Sequence, residues 1–159
     1  MFVPGDFSQM MLSKNFSIKE LIKSQTAERR DINNNPGADE IYYMKILAEK
    51  ILQPVRDHYK IPFTVSSGYR CPELSIAIGS SKKSQHCKGQ AADFEVPGIS
   101  NWDLCHYIKD YLEYDQLILE CFTGGNSGWV HCSIADNSRG ELLTFDRKNG
   151  YRKGLIDDS

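Results

Sequence analysis

An α+β fold, with helices packed on a small and mainly antiparallel sheet, follows from two patterns in the sequence. Apolar residues recur at helical spacing between residues 38 and 55, whereas short later segments alternate apolar and polar side chains between glycine-rich breaks. A chain of 159 residues with 40% hydrophobic content is long enough for one core and short for two. Residues 1–159 therefore read as a single domain, with 1–15 and 147–159 as flexible ends.

The elements can be justified in order. Phe16-Ser-Ile-Lys-Glu-Leu21 has the signature of a helix start: Ser17 caps, Glu20 bonds back three residues later, and Phe16 packs on Leu21 as a staple. Asn33-Asn-Asn-Pro-Gly37 is a loop. From about Ala38 a longer helix follows, with Ile41, Met44, Leu47, Ala48, Ile51 and Val55 on one face, and Pro54 kinks or restarts it near its end. Residues 62–67 form a strand that leads into the Gly68-Tyr-Arg70 turn. Ala91 to Val96 reads as a second strand. A helix spans Trp102 to Leu112, capped by Ser100 or Asn101, with Leu104, Cys105, Ile108, Tyr111 and Leu112 buried. Gln116 to Phe122 and Trp129 to Ile134 form a hairpin around Thr123-Gly-Gly-Asn-Ser-Gly128, and Leu142 to Phe145 adds an edge strand before a polar tail. No repeat or low-complexity tract interrupts this order.

The strand phases isolate three residues. If Ala92, Phe94 and Val96 face the core, Asp93 faces the other way; if Val130, Cys132 and Ile134 face the core, His131 likewise faces away from it. Gly89 allows a sharp turn between His86 and the strand that carries Asp93, so a local pair and a distant third group can converge. Two imidazoles and one carboxylate leave a fourth tetrahedral position open, which separates a catalytic zinc site from a closed structural one. Any one of these residues alone would pass for an ordinary surface or satisfied polar group.

Three motifs carry a resemblance to a family: Ser66-Ser-Gly-Tyr-Arg70, then Ser84-x-His86-x-x-Gly89-x-Ala91-x-Asp93, then Trp129-x-His131, with a weaker match from Phe16 to Ser133. They resemble the zinc D-Ala-D-Ala carboxypeptidases and related phage and bacterial murein peptidases, whose fold is shared with the hedgehog signalling domain. The resemblance implies that His86, Asp93 and His131 ligate one zinc, that Arg70 binds substrate, and that the substrate is a murein stem peptide, cut as a D,D-carboxypeptidase or an endopeptidase would. Ser84 resembles the motif serine, whose hydroxyl either bonds substrate or orients His86. Cys71, Ser75 and Ser80 stand where related sequences more often show serine, asparagine and glycine, a departure that bears on substrate preference. The alternative reading is a non-catalytic zinc-containing binding or structural module of the same fold; a peptidase acting on another small peptide ranks third.

Two more side chains belong to the cleft on chemical grounds. The planar fork of Arg70 matches a carboxylate in bidentate fashion, whether that of a peptide terminus or of a stem peptide. If the hairpin closes symmetrically, Phe122 faces Trp129 and Glu120 lies directly opposite His131, with Cβ atoms about 5 Å apart. Glu120 is then the candidate general base. Several branches of the family place an acidic residue two positions before the last histidine, where this chain has Trp129. His58 and His106 fall outside the constellation.

Composition narrows the partners. A formal charge of −2, from 19 basic and 21 acidic residues, gives no electrostatic case for nucleic acid or an anionic membrane. Five cysteines, Cys71, Cys87, Cys105, Cys121 and Cys132, form no disulfide framework and read as reduced thiols. The start of the chain lacks a basic segment followed by an apolar run, and no apolar stretch approaches the roughly 20 residues of a membrane span. The expectation is synthesis in the cytoplasm without a signal peptide, with lysis or a virion delivering the protein to a wall. Oligomeric state is left open.

Overall fold

A computed structural model describes residues 9–159; the first eight residues of the N-terminal end lie outside the described residues. Two short helices come first, α1 (Ile18–Ile22) and α2 (Gln25–Arg29). The capping box expected at Ser17 is formed, with the Glu20 N–H donating to Ser17 Oγ at 3.2 Å and the Ser17 N–H donating to Glu20 Oε2 at 2.9 Å. Such a cap stabilises a helix start by about 1 kcal/mol. Phe16 and Leu21 are both buried.

The long helix begins as α3 (Ala38–Leu47), passes through one π-helical turn at Ala48–Leu52, and continues as α4 (Gln53–Tyr59). Pro54 accounts for the π turn. It has no N–H to donate and its ring would press on the carbonyl four residues back, so the helix widens just before it, and the Gln53 N–H donates to Ala48 O five residues earlier. Met44, Leu47, Ala48, Ile51, Leu52 and Val55 are fully buried along this rod. After strand β1 (Val65–Ser67), helix α5 (Pro72–Ala77) and a 3₁₀ turn (Gln85–Lys88) lead into β2 (Ala91–Phe94). Helix α6 (Asn101–Tyr111) is capped by Ser100, whose Oγ accepts from the Asp103 N–H at 3.1 Å; of its expected buried side, Leu104, Cys105 and Ile108 are buried whereas Tyr111 is exposed.

Four further strands complete the sheet: β3 (Gln116–Glu120), β4 (Trp129–Ser133), β5 (Glu141–Asp146) and β6 (Gly150–Lys153). The order is β1-β2-β4-β3-β5-β6, antiparallel throughout except that β5 runs parallel to β3. One face buries Ala92, Phe94, Leu117, Leu119, Val130 and Cys132 against the long helix and α6. Phe63 bridges the layers, its ring 5.2 Å from Phe16 and 5.5 Å from Phe94. The other face is left for the site.

Two expectations change here. The β5 segment is not an edge: the tail beyond it folds back as β6, which takes the edge instead. The β3–β4 hairpin closes asymmetrically, with Glu120 opposite Trp129 and Ile118 opposite His131, two residues away from the symmetric register. Cys121 adopts a left-handed φ of 54°, and Gly124, Gly125 and Gly128 are also at positive φ, so the turn takes up eight residues and pairing stops at Glu120.

Candidate metal centre

The cleft face of the sheet assembles the site. Asp93 on β2 and His131 on β4 are direct cross-strand partners, so their side chains rise together from the pleat. His86 enters from the 3₁₀ turn. Gly89 ends that turn at φ 75°, where an added Cβ would collide with the Glu40 carbonyl oxygen of α3, so only glycine lets the turn sit against the helix. Ser84 caps the turn, its Oγ accepting from the His86 backbone N–H at 3.2 Å. Among the described residues, His86, Asp93 and His131 form the one group of potential ligands whose donor atoms all lie within 4.8 Å of one another.

The spacings fit a small tetrahedral cation. His86 Nε2 lies 3.5 Å and His131 Nδ1 2.9 Å from Asp93 Oδ1, and two ligands of one such ion stand roughly 3.3 Å apart. The imidazole of His86 is oriented from behind, since its Nδ1 lies 2.7 Å from the Gly68 carbonyl oxygen and is thereby set to donate there, leaving Nε2 free. Gly68 itself packs so tightly on the Leu21 carbonyl of α1 that a side chain would not fit. Burial alone would push the Asp93 carboxyl up, but its contacts with the His131 and His86 imidazoles outweigh it and hold the group far below the usual carboxylate range. Asp93 is thus an anion between two imidazoles. Cys132 is buried on the opposite face of β4 and takes no part.

A cleft of about 450 Å³ surrounds this group, lined among others by Arg70, Ser84, Glu120, Trp129 and Tyr151. Arg70 follows β1, and its backbone N–H donates to His86 O at 3.2 Å. One guanidinium nitrogen, Nη1, donates to Ser67 Oγ at 3.2 Å, while the buried Nε has no hydrogen-bond partner among the described residues. Burial pulls the Arg70 pKa down; the Asp93 and Glu120 carboxylates oppose that shift. Glu120 lies on the cleft face, diagonal to His131 and not directly opposite it, and its Oε2 accepts from the Trp129 indole N–H at 2.8 Å. Burial and the neighbouring Asp93 raise the Glu120 pKa above the ordinary glutamate value, against the His131, Trp129 and Arg70 contacts.

Some contributors were not singled out from sequence. Gln116 and Ile118 follow from the same period-two phase as Glu120. Tyr151 was missed because its segment read as a polar tail, although Asn149-Gly150 is a strong hairpin signal. His58 and His106 lie outside the cleft; His58 stacks on Tyr107 at 4.0 Å and His106 packs on Trp102 at 4.7 Å. All five cysteines are free. No helix of the described residues is long and apolar enough to cross a membrane.

A mixed sheet presenting two histidines and an aspartate in an open cleft defines a domain with a candidate metal centre of hydrolytic type. The chain belongs to the Peptidase M15 family, whose sequence profile matches residues 14–133 and so covers His86, Asp93, His131, Arg70 and Glu120. A search of curated proteins gives no match.

Proposed function

We propose that the protein is a zinc metallopeptidase that hydrolyses peptide bonds of murein stem peptides. The convergence of His86, Asp93 and His131 on one point, inside a chain of the Peptidase M15 family, carries this reading. A zinc ion held there supplies Lewis acidity, which polarises a scissile carbonyl and acidifies water. Asp93 contributes the negative charge, and the Gly68 carbonyl fixes the tautomer of His86. Arg70, which lines the same cleft and whose buried Nε has no partner among the described residues, binds a carboxylate of the peptide. Ser84 holds the His86 turn. Glu120 collects the proton of the attacking water and returns it to the leaving amine; its raised pKa brings it closer to that task than an exposed glutamate would be.

Glu120 also separates the enzyme from a non-catalytic module of the same fold. Glu120→Gln keeps the shape and can still accept the Trp129 hydrogen bond, but it cannot take a proton, so turnover of murein at matched zinc occupancy should fall by about 100-fold or more. Released amines or D-alanine give the measure. A wild type inactive on every murein type would favour the non-catalytic module; an active wild type with an equally active variant would move the base to another residue.

A further inference from the structure

The family match ends at residue 133, yet the metal cleft does not. Tyr151 on β6 is the one cleft-lining residue contributed from beyond the matched segment among the described residues. It pairs with Phe145 on β5, which pairs with Glu120 on β3, which pairs with Trp129 on β4, so a single row of side chains runs across the cleft face from Trp129 to Tyr151. The tyrosine ring rests on Phe145, with centroids 4.6 Å apart, and the residue is 62% exposed.

The strand that carries it is anchored on both flanks. Asp146 Oδ1 accepts from the Lys148 and Asn149 N–H groups in the turn, and Arg152 Nη2 donates to Asp146 Oδ2 at 3.0 Å and to Asp158. Thr144 Oγ1 donates to Gly154 O at 2.8 Å and accepts from the Ile156 N–H at 2.9 Å. An exposed aromatic on a floppy tail would carry little information; one held by this many bonds is positioned before anything binds. Arg70 and Tyr151 lie toward opposite edges of the sheet, with the ligand group between them. The centre of the cleft is anionic, with Asp93 and Glu120. Burial and those two carboxylates raise the Tyr151 pKa, so the phenol stays protonated and acts as a neutral donor.

We propose that Tyr151 is a specificity-determining substrate contact: its ring forms the wall of the cleft opposite Arg70, and its phenol O–H donates a hydrogen bond to a carbonyl or carboxylate oxygen of the bound peptide. This rests on the peptidase reading of the same site. The bland alternative is a cross-strand aromatic pair that only steadies the hairpin.

Rapid-mixing binding of a synthetic murein stem pentapeptide to the zinc-loaded protein, followed by tryptophan fluorescence before turnover, separates the two. Tyr151→Phe keeps the ring against Phe145 and should weaken binding about 5-fold, the size of one hydrogen bond. Tyr151→Ala should weaken it by more than about 10-fold, since ring contact goes too, with the loss appearing in KM more than in kcat. Zinc content and the melting midpoint of Tyr151→Phe should match wild type. A Tyr151→Phe variant that binds as tightly as wild type overturns the hydrogen bond, and a Tyr151→Ala variant that does so overturns the wall. A wild type that binds the pentapeptide without cleaving it counts against the peptidase reading while the two variants still decide the role of Tyr151; a wild type that does not bind it overturns both.

Discussion

Arg70 is the residue whose chemistry is least explained by the fold. Its main chain braces His86 and one guanidinium nitrogen reaches Ser67, but a buried donor left without an acceptor costs about 1–3 kcal/mol and persists in a native cleft when a ligand supplies the missing partner. Arg70→Ala should therefore leave metal content and melting close to wild type while raising KM on a cleavable stem peptide by at least about 10-fold, as expected when one charged bond to substrate is lost. Steady-state kinetics beside a metal assay checks it; a folded variant with unchanged kinetics on every cleaved peptide would reject the role. Glu120 differs in kind. Its indole bond from Trp129 holds the carboxylate in the row beside His131.

At the scale of elements, the turn that carries His86 is tied to the far end of the sheet by a polar clamp. Asp115, 2% exposed, accepts from Arg139 Nε and Nη2 and from the Arg139 backbone N–H, while Gln85 Nε2 donates to Asp115, to Gln90 and to Ile134 O. The Arg139 hydrogen bonds, joined by that from Gln85, pull the Asp115 pKa down to about 2 against burial. A depressed carboxylate pKa stabilises the fold above the unfolded value near 4, and that contribution is lost as pH falls through 2. Arg139 is half exposed, so Arg139→Ala should cost only about 1–2 kcal/mol at pH 7. The gap should close toward pH 2. Urea titrations of both metal-free proteins at the two pH values measure it, and an equal gap at both would refute the clamp. The elements also show what sequence carries. Strand phase has period two, so one correctly placed apolar residue assigns every face, and Asp93, His131 and Glu120 all point into the cleft as expected. Register was not legible: left-handed Cys121 and three glycines at positive φ lengthen the turn, yet a two-residue shift keeps each face and changes only neighbours. Helix α5 escaped notice because Cys71 is an unusual cap, its Sγ accepting from the Leu74 N–H at 3.4 Å; Pro72 at the first helical position was the available sign.

For the whole molecule, the division of labour follows the two faces of one sheet. The apolar face and the long helix form the core, and the polar face, framed by loops whose glycines pack on α1 and α3, carries the candidate site. The grouping of His86, Asp93 and His131 was legible because short motifs and strand phase specify it locally. The depth of the cleft was not, because Tyr151 reaches it through a parallel strand and a return hairpin that no local pattern connects to His131. Whether His86, Asp93 and His131 hold a catalytic zinc decides the proposed function. Its most direct test is a titration of chelator-stripped protein with zinc, reading bound metal and release of amines from murein together. Activity should rise in step with occupancy and saturate at one equivalent, and the alanine variants of His86, Asp93 and His131 should neither retain the metal nor recover activity. Full activity in metal-free protein, or a full equivalent of tightly held zinc in all three variants, would contradict it.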